Sequence, residues 1–285
     1  MSLASLSRWI RRDPGPVDGR LARIVSDGAG RDVLLLHGLA ASPACWGDLR
    51  AELGNGYTVH RPHMKGFAGL APPAGRAHGG YLKSMADELA AYLRKHGRGP
   101  VAVVGHSMGG IVSLILARDH TDVVDRLMVV DVPSFFSVLI NPFATEATFA
   151  AFAEATRRQY LDKSPGELEA DLKRTARRLV RSEADLERVV EWGLSSDQAL
   201  TADVMAEVMT TDLRPDLGSI TAPTDVIYAH DGTMPVSGMA IDQLYASAYA
   251  ALPDARLVRM DETRHYIMLD QPERFHREVG TWLSR

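Results

Sequence analysis

The chain has 285 residues, 46% of them hydrophobic and 24% charged, with a formal net charge of −4. That length suits one large α/β domain or a core domain with an insertion, and the acidic balance argues against an electrostatic nucleic-acid binder. A single cysteine, Cys45, excludes an intramolecular disulfide and a thiol cluster for zinc or iron–sulfur.

The first residues, Met1–Arg12, hold Trp9-Ile10 and two arginines but no continuous apolar stretch, so no signal peptide is read. A cytoplasmic location is therefore expected, with a periplasmic or secreted one open if a signal had already been removed. No apolar run approaches the length of a membrane span. Leu21 to Ser26 alternates apolar and polar residues and predicts a half-exposed strand. Val33-Leu34-Leu35-Leu36 is a fully apolar run, as a buried parallel strand requires, and it stops at His37-Gly38-Leu39. A helix is expected over about Ala44 to Leu53, then a strand at Tyr57 to Arg61 that opens into a loop rich in glycine and proline, Gly66 to Pro73. That loop is no phosphate cradle, because no lysine–serine/threonine pair follows it. Gly80 to His96 has an apolar face and reads as a helix. Val101 to Val104 is a strand, followed by Gly105-His106-Ser107-Met108-Gly109-Gly110 and a buried helix, and Leu127 to Val130 is the next strand, ending at Asp131.

From Val132 to about Leu213 the pattern is helical throughout. Phe149 to Tyr160 is amphipathic, Ser164-Pro165-Gly166-Glu167 combines a capping box with proline at the first helical position, Ser182 caps a third helix, and Asp203 to Met209 lies in a fourth. The basic run Lys173, Arg174, Arg177, Arg178 and Arg181 reads as a solvated face. Strands return at Asp225 to Ala229, followed by His230-Asp231, and at Arg256 to Met260, followed by His265; helices cover about Ala240 to Leu252 and the stretch after Gln271-Pro272-Glu273. Repeated βα alternation implies a mostly parallel sheet with helices on both faces. The helical block divides it into a core of 1–131 and 214–285 and an inserted all-helical cap of 132–213.

In such sheets ligands sit beyond the carboxyl ends of the strands. Ser107, Asp131, Asp231 and His265 fall there. Gly105 and Gly109 flank Ser107 as G-x-S-x-G, a tight strand-to-helix turn that exposes the hydroxyl and aims free helix amides at it. A serine needs an imidazole to take its proton, and the imidazole needs a carboxylate to fix its tautomer. The chain order Ser107, Asp231, His265 is the one this type of sheet uses, so Asp231 is the preferred acid. Asp131 is the alternative acid; its other reading is a cap of the following turn. His106 reads as a packed neighbour of the turn, and the remaining histidines have no metal-ligand spacing, so neither metal nor cofactor is expected.

These motifs resemble the α/β-hydrolase family, in its small esterase-like branch with a helical cap, over nearly the whole chain. The resemblance rests on His37-Gly38-Leu39, on the stretch Gly105 to Gly110, on Pro223 to Pro235, and on His265 with Met268, Asp270 and Pro272. It implies the α/β-hydrolase fold with Ser107 as nucleophile, His265 as general base and then acid, Asp231 as the orienting carboxylate, and the backbone N–H groups of Leu39 and Met108 as the oxyanion hole. His63 stands where the family carries an aspartate, and Ala229 where it carries a glycine. Phe135, Phe136, Phe143, Met205 and Met209 are candidate walls of an apolar acyl pocket, each of them equally readable as cap core. The expected activity is hydrolysis of a carboxylic ester of a small or medium apolar substrate through an acyl-enzyme. C–C, lactone or thioester hydrolysis stays open, as does a small-molecule receptor that keeps the triad without turnover.

Overall fold

Strict alternation of side chains builds the sheet. In β3 (Arg31–Leu36), Leu34 and Leu36 join one apolar cluster while Val33 and Leu35 join another on the opposite face. The same split recurs in β5 (Val101–His106), with Val101 and Val103 facing one side and Ala102 and Val104 the other, and in β6 (Val124–Val130) and β7 (Thr224–His230). Runs that are apolar at every position are thus buried on both faces, as in a parallel sheet covered by helices.

The computed structural model describes residues 17–74, 80–97 and 99–285. The N-terminal reading of Met1–Arg12 lies outside them. With β1 (Val17–Asp18), β2 (Ala22–Gly28), β4 (Tyr57–Met64) and β8 (Arg256–Asp261), the described residues form an eight-stranded sheet in the order β1-β2-β4-β3-β5-β6-β7-β8. β2 runs antiparallel to β1 and β4; the other pairings are parallel. The protein therefore has an α/β-hydrolase fold.

The helix expected over Ala44 to Leu53 is broken. Gly47, at a φ of 50°, separates a 3-10 turn (Pro43–Trp46) from the short α1 (Leu49–Leu53). α2 (Tyr81–His96) and α3 (Met108–Asp119) cover one face, and α10 (Pro272–Ser284), after the single turn of α9 (Ile267–Asp270), covers the other. α8 (Gly238–Ala248) sits between β7 and β8 in the chain.

Between β6 and β7 the chain inserts α4 (Glu146–Leu161), α5 (Pro165–Leu179), α6 (Glu183–Leu194) and α7 (Gln198–Thr210). The expected caps form: Ser164 and Glu167 complete a reciprocal capping box, and Ser182 accepts from Asp185 N–H. The insertion is sewn into both cores. Leu200, Val204 and Val208 of α7 enter the cluster on the α2 and α3 side, while Ala176, Val180, Val189 and Trp192 join the α10 side. Polar ties reinforce this. Glu207 accepts the amides of Tyr81 and Leu82, supplying α2 with the N-terminal cap its own sequence lacks. Asp197 N–H donates to Gly66 O, and Gly69 N–H to Ser195 O. Of the basic run, Lys173 pairs with Glu169 and Arg174 with Asp171 along α5, while Arg181, beyond its end, faces Glu262 and Asp231.

Phe275 of α10 is fully buried, stacked on Trp46 with ring centroids 6.2 Å apart. Phe275→Ala is expected to lower unfolding stability by about 3–5 kcal/mol, read as a lower urea midpoint at unchanged slope. A loss well under 1 kcal/mol would mean that this helix does not hold the sheet.

Candidate active site

Ser107 follows β5 directly and adopts φ 55°, ψ −122°, a left-handed conformation that costs a non-glycine residue energy. The turn is held by Ser107 N–H donating to Val130 O and by the amides of Gly110 and Ile111 donating to Ser107 O. It closes only because side chains are missing nearby. A Cβ on Gly109 would overlap the carbonyl oxygens of Leu36 and His37, so α3 begins in contact with the end of β3. A Cβ on Gly38 would lie 3.1 Å from Ser107 Cβ, so the loop after β3 presses on the serine. The Met108 amide is the first of α3 and has no carbonyl four residues back to bond.

His37 locks that loop. Its ring is fully buried, Nδ1–H donates to Gly38 O at 2.8 Å, and Nε2 accepts the Met64 amide at 3.0 Å. Both bonds need the neutral ring, and burial lowers its pKa to about 3 against the opposing effect of the Gly38 carbonyl. His63, unexpected at its position, donates from Nε2–H to Phe67 O at 2.8 Å and meets His37 edge-on, with centroids 5.9 Å apart.

His265 follows β8. Its Nδ1 lies 2.8 Å from the Oδ2 of Asp131. Asp131 follows β6, at φ 53°, a conformation that aspartate tolerates better than most residues. Its Oδ1 accepts the Ala229 amide at 2.8 Å and the Tyr245 hydroxyl at 3.4 Å. Tyr245 is itself buried and stacked on Tyr228, centroids 4.2 Å apart. Burial first, and then the Asp131 charge, push its phenol well above the usual range, which keeps it a donor. The imidazole is fixed from below as well: its ring lies 4.5 Å from that of His106, and His106 Nε2–H donates to His265 O at 3.0 Å.

Asp231, the preferred acid on chain order, does not meet His265. Its carboxylate folds back on its own turn: Oδ1 accepts the Thr233 amide at 2.8 Å and the Thr233 hydroxyl at 2.6 Å. Oδ2 faces the guanidinium groups of Arg264 and Arg181 at 3.5 and 3.6 Å. The Thr233 hydroxyl, the Thr233 amide and then the two arginines hold the carboxyl below the usual range, against the effect of burial. The carboxylate against the imidazole is the alternative, Asp131.

A model of the α/β-hydrolase family matches residues 33–278. The chain belongs to that family. A pimeloyl-[acyl-carrier protein] methyl ester esterase from Aromatoleum aromaticum is 30% identical to this hydrolase over 258 residues, covering 85% of the chain and 94% of the relative. A second protein of that name, from Nitrosomonas europaea, is 26% identical over 88% of the chain and 95% of its own length. Among solved structures, a thermophilic esterase from Thermogutta terrifontis superposes with a TM-score of 0.75 at 22% identity, covering 94% of this chain and 98% of the other.

The five candidate pocket residues of the hydrolase separate. Phe143 is 88% exposed and walls no pocket, because it lies in the open turn before α4. Phe135 is fully buried with Val138, Ala144 and Phe149, and the Arg214 guanidinium lies 4.8 Å from its ring centre; it is core of the insertion. Met209 is buried, whereas Phe136 and Met205 are half-buried.

The three residue types of a triad also meet elsewhere. Ser26 Oγ lies 2.8 Å from His60 Nδ1, and His60 Nε2 lies 3.1 Å from Asp32. Ser26 sits in regular antiparallel register opposite His60, is buried, and shares its hydroxyl with Tyr92 at 2.7 Å. It has neither a strained turn nor a helix start beside it, and the cluster is a satisfied buried network. Among the described residues no group of three or more His, Cys, Asp and Glu is arranged to hold a metal ion, and no helix is long and apolar enough to cross a membrane.

The His37 ring gives a pH signature. Folded His37 stays neutral down to about pH 3 while the unfolded chain protonates it below about 6.5, so the unfolded state binds the extra proton between those values. Stability should therefore fall as pH drops through that window, with His37 contributing up to about 1.4 kcal/mol per pH unit. Denaturation of His37→Gln across the window should show a slope shallower by one proton; an unchanged slope would remove His37 from the account.

Proposed function

We propose that this hydrolase cleaves carboxylic esters of small or medium, mainly apolar substrates through an acyl-enzyme on Ser107. The observation that carries the reading is the Asp131–His265 bond of 2.8 Å, made by a histidine whose ring and carbonyl contact His106, the residue before Ser107, which is itself strained into the left-handed region at a helix start. A carboxylate on Nδ1–H leaves Nε2 as the lone-pair nitrogen, the tautomer that accepts a serine proton. Ser107 Oγ attacks the ester carbonyl while His265 Nε2 takes its proton. The tetrahedral oxyanion is held by the amides of Met108 and Leu39, each donor worth about 2.7–4 kcal/mol in comparable sites. The imidazolium, stabilised by Asp131, protonates the leaving alcohol; a water deprotonated by the same nitrogen then releases the acid.

The elbow serine supports ester chemistry. The methyl ester esterases at 30% and 26% identity agree with an ester carbonyl as the electrophile. In this reading the inserted helices of residues 132–213 form a cap over Ser107, and Phe136 and Met205 line the acyl side.

A chromogenic short-chain ester tests the assignment. Ser107→Ala should abolish turnover and labelling by a fluorophosphonate. Asp131→Asn should lower kcat by about 10⁴-fold with the fold intact, and Asp231→Asn should cost far less. Wild-type rates in Ser107→Ala, or an unimpaired Asp131→Asn, would sink the reading.

A further inference from the structure

The loop that carries His265 is held from outside the core. The link between α5 and α6, at Leu179 to Arg181, lies along it: Tyr266 N–H donates to Leu179 O at 3.0 Å, and Arg264 Nη1 donates to Val180 O at 2.9 Å. Asp270 bridges the two strands of chain with one carboxylate. Its Oδ1 accepts the Arg181 amide at 2.8 Å and its Oδ2 the Arg264 amide at 2.7 Å. Asp231 closes the arrangement. Its buried Oδ2 faces Arg181 from the insertion and Arg264 from the histidine loop, at 3.6 and 3.5 Å. Both residues flanking His265 are thus bonded to the same three-residue link, and its own carbonyl is bonded to His106 at 3.0 Å.

We propose that Asp231 and Asp270 are positioning residues: they clamp the Leu179–Arg181 link of the insertion to the backbone on either side of His265, so that the seat of the insertion and the placement of the imidazole are one degree of freedom. The inference rests on the reading of His265 as the general base. Asp231 occupies the place where the chain order puts an orienting acid, and here it orients the loop. Thr233 holds the Asp231 carboxylate in place, and removing its charge takes away the counter-ion that Arg181 and Arg264 share across the joint, leaving Arg181 its bond to Glu262 on the β8 side. The link then loosens, and a shift of even about 1 Å at a catalytic group costs up to about a hundredfold in rate.

The test compares Asp231→Asn, Arg181→Met and the double variant with wild type, reading kcat, KM, melting temperature and the rate of fluorophosphonate labelling at Ser107. Loss of positioning should lower kcat and the labelling rate together by about ten- to a hundredfold, with KM near wild type and the double variant no worse than the poorer single one. Arg181 is 41% exposed on its side chain, so its replacement opens no core and reads the clamp even where Asp231→Asn fails to fold. A lower melting temperature with kcat unchanged would overturn the proposal, as would additive effects of the two substitutions. A loss in Asp231→Asn as deep as that expected of Asp131→Asn would also overturn it, making Asp231 the triad acid. Ser107→Ala, run alongside, separates the two claims: turnover that survives in it defeats the reading of the site, whereas turnover lost there and untouched in Asp231→Asn defeats the clamp alone.

Discussion

The geometry of the site depends on how closely the start of α3 approaches the end of β3. Gly109 has no side chain to hold the helix off Leu36 and His37, and Gly38 has none to hold the following loop off Ser107. With both gaps closed, the serine turn, the first amide of α3 and the loop at His37-Gly38-Leu39 occupy one small volume. The left-handed backbone of Ser107 is the strain that this contact imposes, and regular hydrogen bonding on both sides sustains it. A neutral, doubly bonded His37 then fixes the loop from behind without adding a charge to it.

The carboxylate partner of His265 shows how little of a side chain's direction is determined by its position in a strand order. Asp131 and Asp231 both follow parallel strands, and β6 and β7 are neighbours. What separates them is local. Asp231 is followed by Gly232-Thr233, and a short acceptor two residues before a threonine folds back to bond its amide and hydroxyl. Asp131 has no such partner in its own turn. It reaches across to the Ala229 amide and the Tyr245 hydroxyl, which aim its second oxygen at the imidazole.

Much of this was legible in the residues. The doubly apolar strands, the Gly105 to Gly109 turn and the capping box at Ser164 each carry a local signal with a single structural meaning, and the sheet, the elbow and α5 follow from them. Features that depend on distant parts of the chain left no such mark. The break in the helix after β3 needs a positive φ at Gly47, and the cap of α2 arrives from Glu207 in the insertion. Phe135 and Phe143 look alike in the sequence, yet one is buried under an arginine and the other faces solvent, because the turn of the chain between them is set by packing. Two clues were present for the acid: the Asp-Gly-Thr turn and the arginine immediately before His265. Tyr245 carried no signal that set it apart from other helix residues.

The insertion has its feet in both apolar cores, and this limits how far it can move against the sheet. Lifting α7 alone would bare Leu200, Val204 and Val208, each worth about 1.5–3 kcal/mol when buried. Such an opening would be populated in fewer than about one molecule in a thousand. The insertion is therefore a nearly fixed part of the fold, adjusting by side-chain rotation and not by swinging as a door.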